Sequence, residues 1–278
     1  MGHVMRFTVF CLVYLFAATT AVAEGPISFG VVPQQAASKL ARLWVPLLDR
    51  VARDSGIGIE FRTAKDIPTF EAEVARGGYD CAYMNPYHFT VFHEQPGYHA
   101  IAHARDKKIK GILVVRKDSP VEDIMALDGA EVAFPAPAAF AATILPSKEL
   151  ASRGIEVKPN YVSSHDSVYR SVERGLFVAG GGVVRTFRNA APEVTSNLRI
   201  LWTTEGYTPH AIACAPGVPE QTRHKLQAAL VALEQEAAGR ELLSAIKIKG
   251  FTAADNDDWD DVRALGIDNL KPNATNQQ

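Results

Sequence analysis

Ile27-Ser-Phe-Gly-Val-Val-Pro33, Ile57-Gly-Ile-Glu-Phe61 and Tyr79-Asp-Cys-Ala-Tyr-Met84 are three short apolar runs, and what lies between them decides the fold. After Gln34-Gln35, apolar residues recur at Leu40, Leu43, Trp44, Leu47, Leu48 and Val51. That spacing is helical and one-sided, so one helix face packs on a sheet. Gly56 and Gly58 stop this helix. Phe70 and Val74 mark a shorter one, closed by Gly77-Gly78. Strand, helix, strand, helix, strand with short links predicts a parallel sheet with helices on its faces.

Further along, the apolar run Ile109 to Arg116 ends at Lys117-Asp-Ser-Pro120, and the α/β rhythm begins again. The spacing predicts strands at Glu131 to Phe134, Tyr161-Val162 and Leu176 to Ala179. Helices are predicted from about Phe140 to Arg153 and from Ser167 to Arg174, the latter capped by Asp166. Late strands at Leu198 to Trp202 and Ala211 to Ala215 precede a long helix from Pro219 to Ala237. Two α/β units joined by strand-like crossings predict two lobes with a hinge between them. One lobe is assigned to 24–115 and 209–278, the other to 116–208.

The 278-residue chain is 47% hydrophobic and 22% charged, which excludes dominant disorder. A formal charge of −2 leaves no basic footprint for nucleic acid. Three cysteines are too few for a disulfide-built scaffold. At the N-terminus, His3 and Arg6 precede the apolar run Phe7 to Ala18, and Ala21-Val-Ala23 reads as a cleavage site. Residues 1–23 are therefore expected to be a secretory signal peptide rather than a transmembrane anchor, which needs about 20 apolar residues. The expected location is the periplasm.

Candidate site residues cluster where predicted strands end. Tyr83-Met-Asn85-Pro86-Tyr87 follows a strand and opens a helix with Pro86 in its first turn. Ligands of open α/β sheets sit outside the carboxyl ends of strands, so Tyr83, Asn85 and Tyr87 either bind a ligand or pack. Phe134-Pro-Ala-Pro-Ala-Ala-Phe140-Ala-Ala-Thr143 ends another strand; free N–H groups at a helix start suit an anion. Phe140 and Thr143 are the side chains it offers, with a rigid apolar turn as the plain alternative. His165 sits beside a helix start, where it can donate to an anion and titrate near neutrality. Gly180-Gly-Gly182 allows close backbone approach to a ligand, and Arg185 either pairs with an oxyanion or is solvated.

Other chemistry finds little support. His88, His93, His99 and His103 match no metal-ligand spacing. The acidic run Asp255 to Asp261 lacks the glycine and closing Glu of a calcium loop and is expected to start the last helix. There is no G-x-S-x-G and no paired Cys/His, so no enzyme, metal or cofactor is expected. Cys81 and Cys214 lie in strand-like runs. They are read as buried thiols on neighbouring strands, with pairing open in an oxidising compartment.

Gly78-Tyr-Asp-Cys-Ala-Tyr-Met-Asn-Pro-Tyr87, Val121-x-Asp-Ile-x-x-Leu-x-Gly-x-x-Val-Ala-Phe134, His165 and Gly175-x-Phe-Val-Ala-Gly-Gly-Gly182 together carry a family resemblance. The chain resembles the phosphonate/phosphite/phosphate-type substrate-binding proteins of ABC transporters. The resemblance covers nearly all of the chain after residue 23 and implies the type 2 periplasmic binding protein fold: two α/β lobes closing on a small ligand, without covalent chemistry. It implies a membrane permease as partner, or a membrane histidine kinase if the chain is a sensory module. It also implies that Tyr83 and His165 touch the ligand. Two departures stand out. The turn that is Ser/Thr-rich in phosphonate binders is Pro135 to Thr143 here, and the acid near residues 180–182 is replaced by glycine. Both argue against an aminophosphonate.

Overall fold

The computed structural model describes residues 25–268 and 270; the expected signal segment, 1–23, lies outside them. The first half of the chain runs β1 (Ile27–Val31), α1 (Ala37–Ser55), β2 (Ile59–Arg62), α2 (Ile67–Ala75), β3 (Cys81–Met84), α3 (Pro86–Glu94) and β4 (His99–Ala104). It continues through β5 (Gly111–Arg116), β6 (Glu131–Phe134), a π-helical turn (Phe140–Ile144), α4 (Leu145–Ser152), β7 (Lys158–Tyr161), α5 (His165–Glu173) and β8 (Ala179–Val183). Then follow α6 (Val184–Asn189), α7 (Pro192–Thr195), β9 (Leu198–Thr203), β10 (Ala211–Cys214), α8 (Glu220–Ala232), α9 (Ala237–Ala245), β11 (Phe251–Ala253) and α10 (Asp260–Arg263).

These strands form two sheets, ordered β11-β4-β10-β3-β1-β2 and β7-β6-β8-β5-β9. In the first, β1 lies parallel between β2 and β3, as the opening sequence unit predicts. Its antiparallel side is made by β4, β10 and β11. In the second, β6 lies parallel between β7 and β8, and β5 returns antiparallel against β8 and β9. Crossovers that skip over β1 and over β6 put a change of strand order beside each. That is where an open sheet leaves a crevice at its carboxyl end.

α1 shows why the sequence folds this way. Leu40, Trp44, Leu47, Leu48 and Val51 are all buried, and they lie on the stripe that the spacing predicts. Two further apolar clusters cover the faces of the second sheet, one around Leu113 and Phe134, the other around Ile112, Val114 and Tyr169. Residues 136–145 of the second half pack into the core of the first, with Phe140 edge-on to Tyr207 at 5.7 Å.

The chain passes between the sheets twice, at 105–110 and at 204–210, and the two passages pair through backbone bonds between Ile109 and Tyr207 of 2.7 and 3.0 Å. The boundary drawn from sequence at 115/116 falls inside β5, whose residues pair in the second sheet. An apolar run carries no mark of which sheet it joins. The glycine segment also shifts: the strand is Ala179–Val183, with the three glycines inside it rather than after it. Cys81 and Cys214 stand opposite each other on β3 and β10 and form a disulfide. The expectation of neighbouring strands holds and that of free thiols does not.

Candidate functional site

The crevices of the two sheets face each other. From the first sheet come Gln34, just beyond β1, and Asn85, just beyond β3. From the second come the turn after β6, His165 at the start of α5 and Arg185 at the start of α6. Bonds cross between them. The His165 backbone N–H donates to the Gln34 carbonyl at 3.1 Å, the Arg185 guanidinium donates to Gln34 Oε1, and Asn85 Nδ2 donates to the Ala138 carbonyl at 3.1 Å. Lys39 donates to the Asn189 carbonyl alongside.

Between these groups lies a cavity of only about 10 Å³, walled by Gln34, Asn85, Phe140, His165 and His210. That is room for about one water molecule. The first turn of the helix after β6 faces it, and the N–H groups of such a turn have no intrahelical partner. Beside it, sharing Ile109, Val183 and His210 as walls, is a second cavity of about 620 Å³ that includes Tyr83 and Arg185. The structure thus places five of the seven sequence-selected side chains on these two cavities. Thr143 and Tyr87 line neither. The Thr143 hydroxyl donates to the Ala136 carbonyl at 2.8 Å, holding the π-helical turn, and the buried Tyr87 hydroxyl accepts from the Leu270 N–H at 2.8 Å. Asn85 is largely committed as well. Its Oδ1 caps α3 by accepting from the His88 N–H at 2.8 Å, while Nδ2 bridges the lobes.

His165 is the first residue of α5, and the cap is Ser164, whose Oγ accepts from the Ser167 N–H at 3.1 Å. Asp166, expected as the cap, sits in the first turn and meets Gln35 Nε2 at 3.4 Å. The His165 ring is buried. Burial, and then the nearby Arg185 charge, push its pKa down to about 3. It is therefore neutral at physiological pH, contrary to the sequence-based expectation of titration near neutrality. Its Nδ1 lies 3.1 Å from Thr186 Oγ1, which lies 2.7 Å from the Tyr169 hydroxyl. The Val183 N–H donates to that hydroxyl at 3.2 Å. When each hydroxyl passes its hydrogen along this row, Nδ1 accepts and Nε2 keeps the proton. A neutral ring then still offers a donor to the cleft.

Tyr83 packs against Trp44, tilted at 4.6 Å, and against the stacked ring of His210 at 4.8 Å, with the Arg185 guanidinium over it 5.8 Å from its centroid. Arg185 thus brings a positive charge against the Tyr83 ring. His210 was not selected from sequence. Its ring is buried, its Nε2 has no partner, and burial together with Arg185 keeps its pKa well below the usual imidazole value. No local pattern marks it: β10 runs antiparallel to β3 with Ala211 opposite Met84, and only that register sets the residue before β10 beside Asn85. Gln34 was missed for a plainer reason, since a glutamine after a strand carries no distinctive pattern.

The space beside Gly180 to Gly182, expected to admit a ligand, is taken by the protein itself. A Cβ on Gly181 would stand 1.9 Å from the Ala142 carbonyl, and one on Gly182 would stand 2.3 Å from the Tyr169 hydroxyl, so the chain's own groups fill that space. The histidines considered for a metal have local roles. His88 Nε2 meets Glu71 at 2.9 Å, and Nδ1 of His93 and of His103 bond backbone carbonyls.

No curated protein sequence matches the chain. Its fold is similar to that of PhnD1 from Prochlorococcus marinus, solved in complex with methylphosphonate. That similarity has 18% identity over 86% of this chain and 96% of that one, at a TM-score of 0.78. It is also similar to a binding protein component of an ABC phosphonate transporter from Pseudomonas aeruginosa, with 16% identity, 87% and 85% coverage and a TM-score of 0.80. A histidine kinase sensor domain with similarity to periplasmic binding proteins matches at 14% identity, 84% and 99% coverage and a TM-score of 0.58. The family model for the periplasmic phosphonate substrate-binding protein of ABC transporters matches residues 29–259, and the chain belongs to that family.

Proposed function

We propose that the chain captures a small phosphorus oxyanion between its two crevices and delivers it, lobes closed, to a permease in the inner membrane, with no chemistry on the ligand. Residues 1–23 serve as the export signal in this reading. The observation that carries it is the convergence of an unopposed guanidinium, Arg185, with two neutral buried imidazoles and a helix start on one cleft. An anion entering there takes Arg185 from Gln34 Oε1 and receives N–H groups in place of water.

The apolar turn Pro135 to Thr143 supplies no free hydroxyl, so backbone N–H groups replace the side-chain hydroxyls of other phosphonate binders. Among the described residues no carboxylate lines the smaller cavity to receive an amine, which favours ligands without one. A sensory role beside a histidine kinase uses the same capture step. The match to a sensor domain is the weaker of those above, and transport is the reading preferred.

Calorimetric titration of residues 24–278 with methylphosphonate, phosphite and phosphate tests this. Binding of at least one is expected, with ligand at 100 times its Kd adding about 2.7 kcal/mol of stability. Arg185→Gln should weaken that binding by about tenfold or more while the unfolding transition keeps its shape. Failure of every phosphorus oxyanion to bind would overturn the proposal.

A further inference from the structure

The larger cavity, of about 620 Å³, is far more than a methylphosphonate-sized ligand needs and falls in the range that holds extended organic ligands. Its lining is basic although the whole chain carries −2. The first passage between the sheets supplies Arg105, Lys107, Lys108 and Lys110. Arg185 and Arg188 come from α6. Arg240 on α9 and, just after it, Lys247 and Lys249 close the third side. Among the described residues, Asp106 is the one carboxylate on the wall.

Little of this charge is neutralised within the chain. Arg105 pairs with Glu234 and Lys108 with Asp261, but the other seven bases make no ion pair among the described residues. Lys107 is half-buried, donating to the Lys247 carbonyl. Burial, reinforced by Arg185, Arg188 and Lys249, lowers its pKa to about 8. Like charges from both lobes and from the passage between them are held together with, among the described residues, only Asp106, Glu234 and Asp261 to offset them. The buried, unpartnered His210 Nε2 belongs to a residue lining both this cavity and the smaller one.

Resting on the phosphorus-oxyanion reading above, we propose that the ligand is a polyphosphorylated organic anion. One phosphoryl group occupies the strand-end cleft, and the further anionic groups lie in the cavity walled by Lys110, Arg188, Lys247 and Lys249. Each added phosphoryl charge near these bases is attracted even in a well-hydrated setting.

The test uses methylphosphonate and inorganic tripolyphosphate as probes in calorimetric titrations of the whole chain. Tripolyphosphate is expected to bind one per chain, about tenfold or more tighter than methylphosphonate, and to displace it. The double variant Lys110→Ala, Lys249→Ala alters two exposed side chains outside the strand-end cleft. It should leave methylphosphonate affinity unchanged and remove most of the tripolyphosphate advantage. Methylphosphonate binding with no such advantage would overturn this proposal and leave the phosphorus-oxyanion reading standing. So would tight tripolyphosphate binding that ignores the double variant or fails to compete. If neither probe nor any other phosphorus oxyanion binds, both readings fall.

Discussion

Burying an imidazole with no carboxylate beside it drives the proton off, and this chain does so at His165 and His210. The consequence for stability has a definite sign. The unfolded chain takes up a proton on His165 below about pH 6.5, while the folded chain resists down to about 3. Folding is therefore favoured above pH 6.5 and penalised progressively as pH falls toward 3, by about 2 kcal/mol at pH 5 for His165 alone. Urea unfolding at pH 7 and pH 5 should show this loss, and His165→Gln should reduce it by about that amount; an unchanged pH dependence would contradict a buried neutral His165. Ligand affinity, by the same argument, should show no step near pH 6.5 assignable to this ring. At this scale the sequence was partly readable. Strand ends pointed to Tyr83, His165 and Arg185, whose places follow from local pattern. Gln34 and His210 were not readable: a glutamine after a strand has no distinctive pattern, and what selects His210 is the register between distant strands.

The helical and strand elements were mostly legible where burial is one-sided, as in α1, and illegible where side chains are small. His99-Ala-Ile-Ala-His-Ala104 is an inner strand of the first sheet, one in from its β11 edge, yet it has a single β-branched residue to announce it. β8 is built on three glycines for a different reason. Its Cβ positions are taken by the Val168 and Tyr169 side chains and by the Ala142 carbonyl. Gly181→Ala should cost about 1–3 kcal/mol or more as overpacking, read as a lower unfolding midpoint; a neutral result would mean that the π-helical turn Phe140–Ile144 can retreat from the sheet. The acidic run near the C-terminus serves the site from behind. Asp258 and Asp255 form a capping box over the turn Asn256–Trp259, Trp259 Nε1 donates to the Pro209 carbonyl at 2.8 Å, and Asp261 accepts from the Thr208 N–H at 2.8 Å. These bonds fasten the second passage just before His210. Asp261→Ala should lower stability by about 1–3 kcal/mol and weaken ligand binding, with calorimetry reading both.

At the scale of the molecule, the α/β rhythm predicted two units, but the return of the chain to the first sheet came only as an inference from sequence. Periodicity reports a strand's two faces and says nothing of its neighbours. Two passages joined by one pair of backbone bonds link the lobes, while bonds from Gln34, Asn85 and Lys39 and the packing of residues 136–145 into the first core hold them together. Since about 10 Å³ cannot admit a phosphonate, ligand entry requires those bonds to part. Small-angle scattering should give a larger radius of gyration for the dialysed protein than with saturating ligand, and equal radii would argue against opening. The Cys81–Cys214 bridge, separated by 133 positions, encloses every residue of the second sheet. Replacing both cysteines with alanine should cost up to about 5 kcal/mol in the chain-entropy view, measured by urea unfolding. Seen as connectivity, the covalent molecule is a ring with two tails, the second lobe being an arc of that ring. A protease that nicks one surface loop of this arc leaves a single covalent body, which should separate into two bands on a gel only when reductant is added.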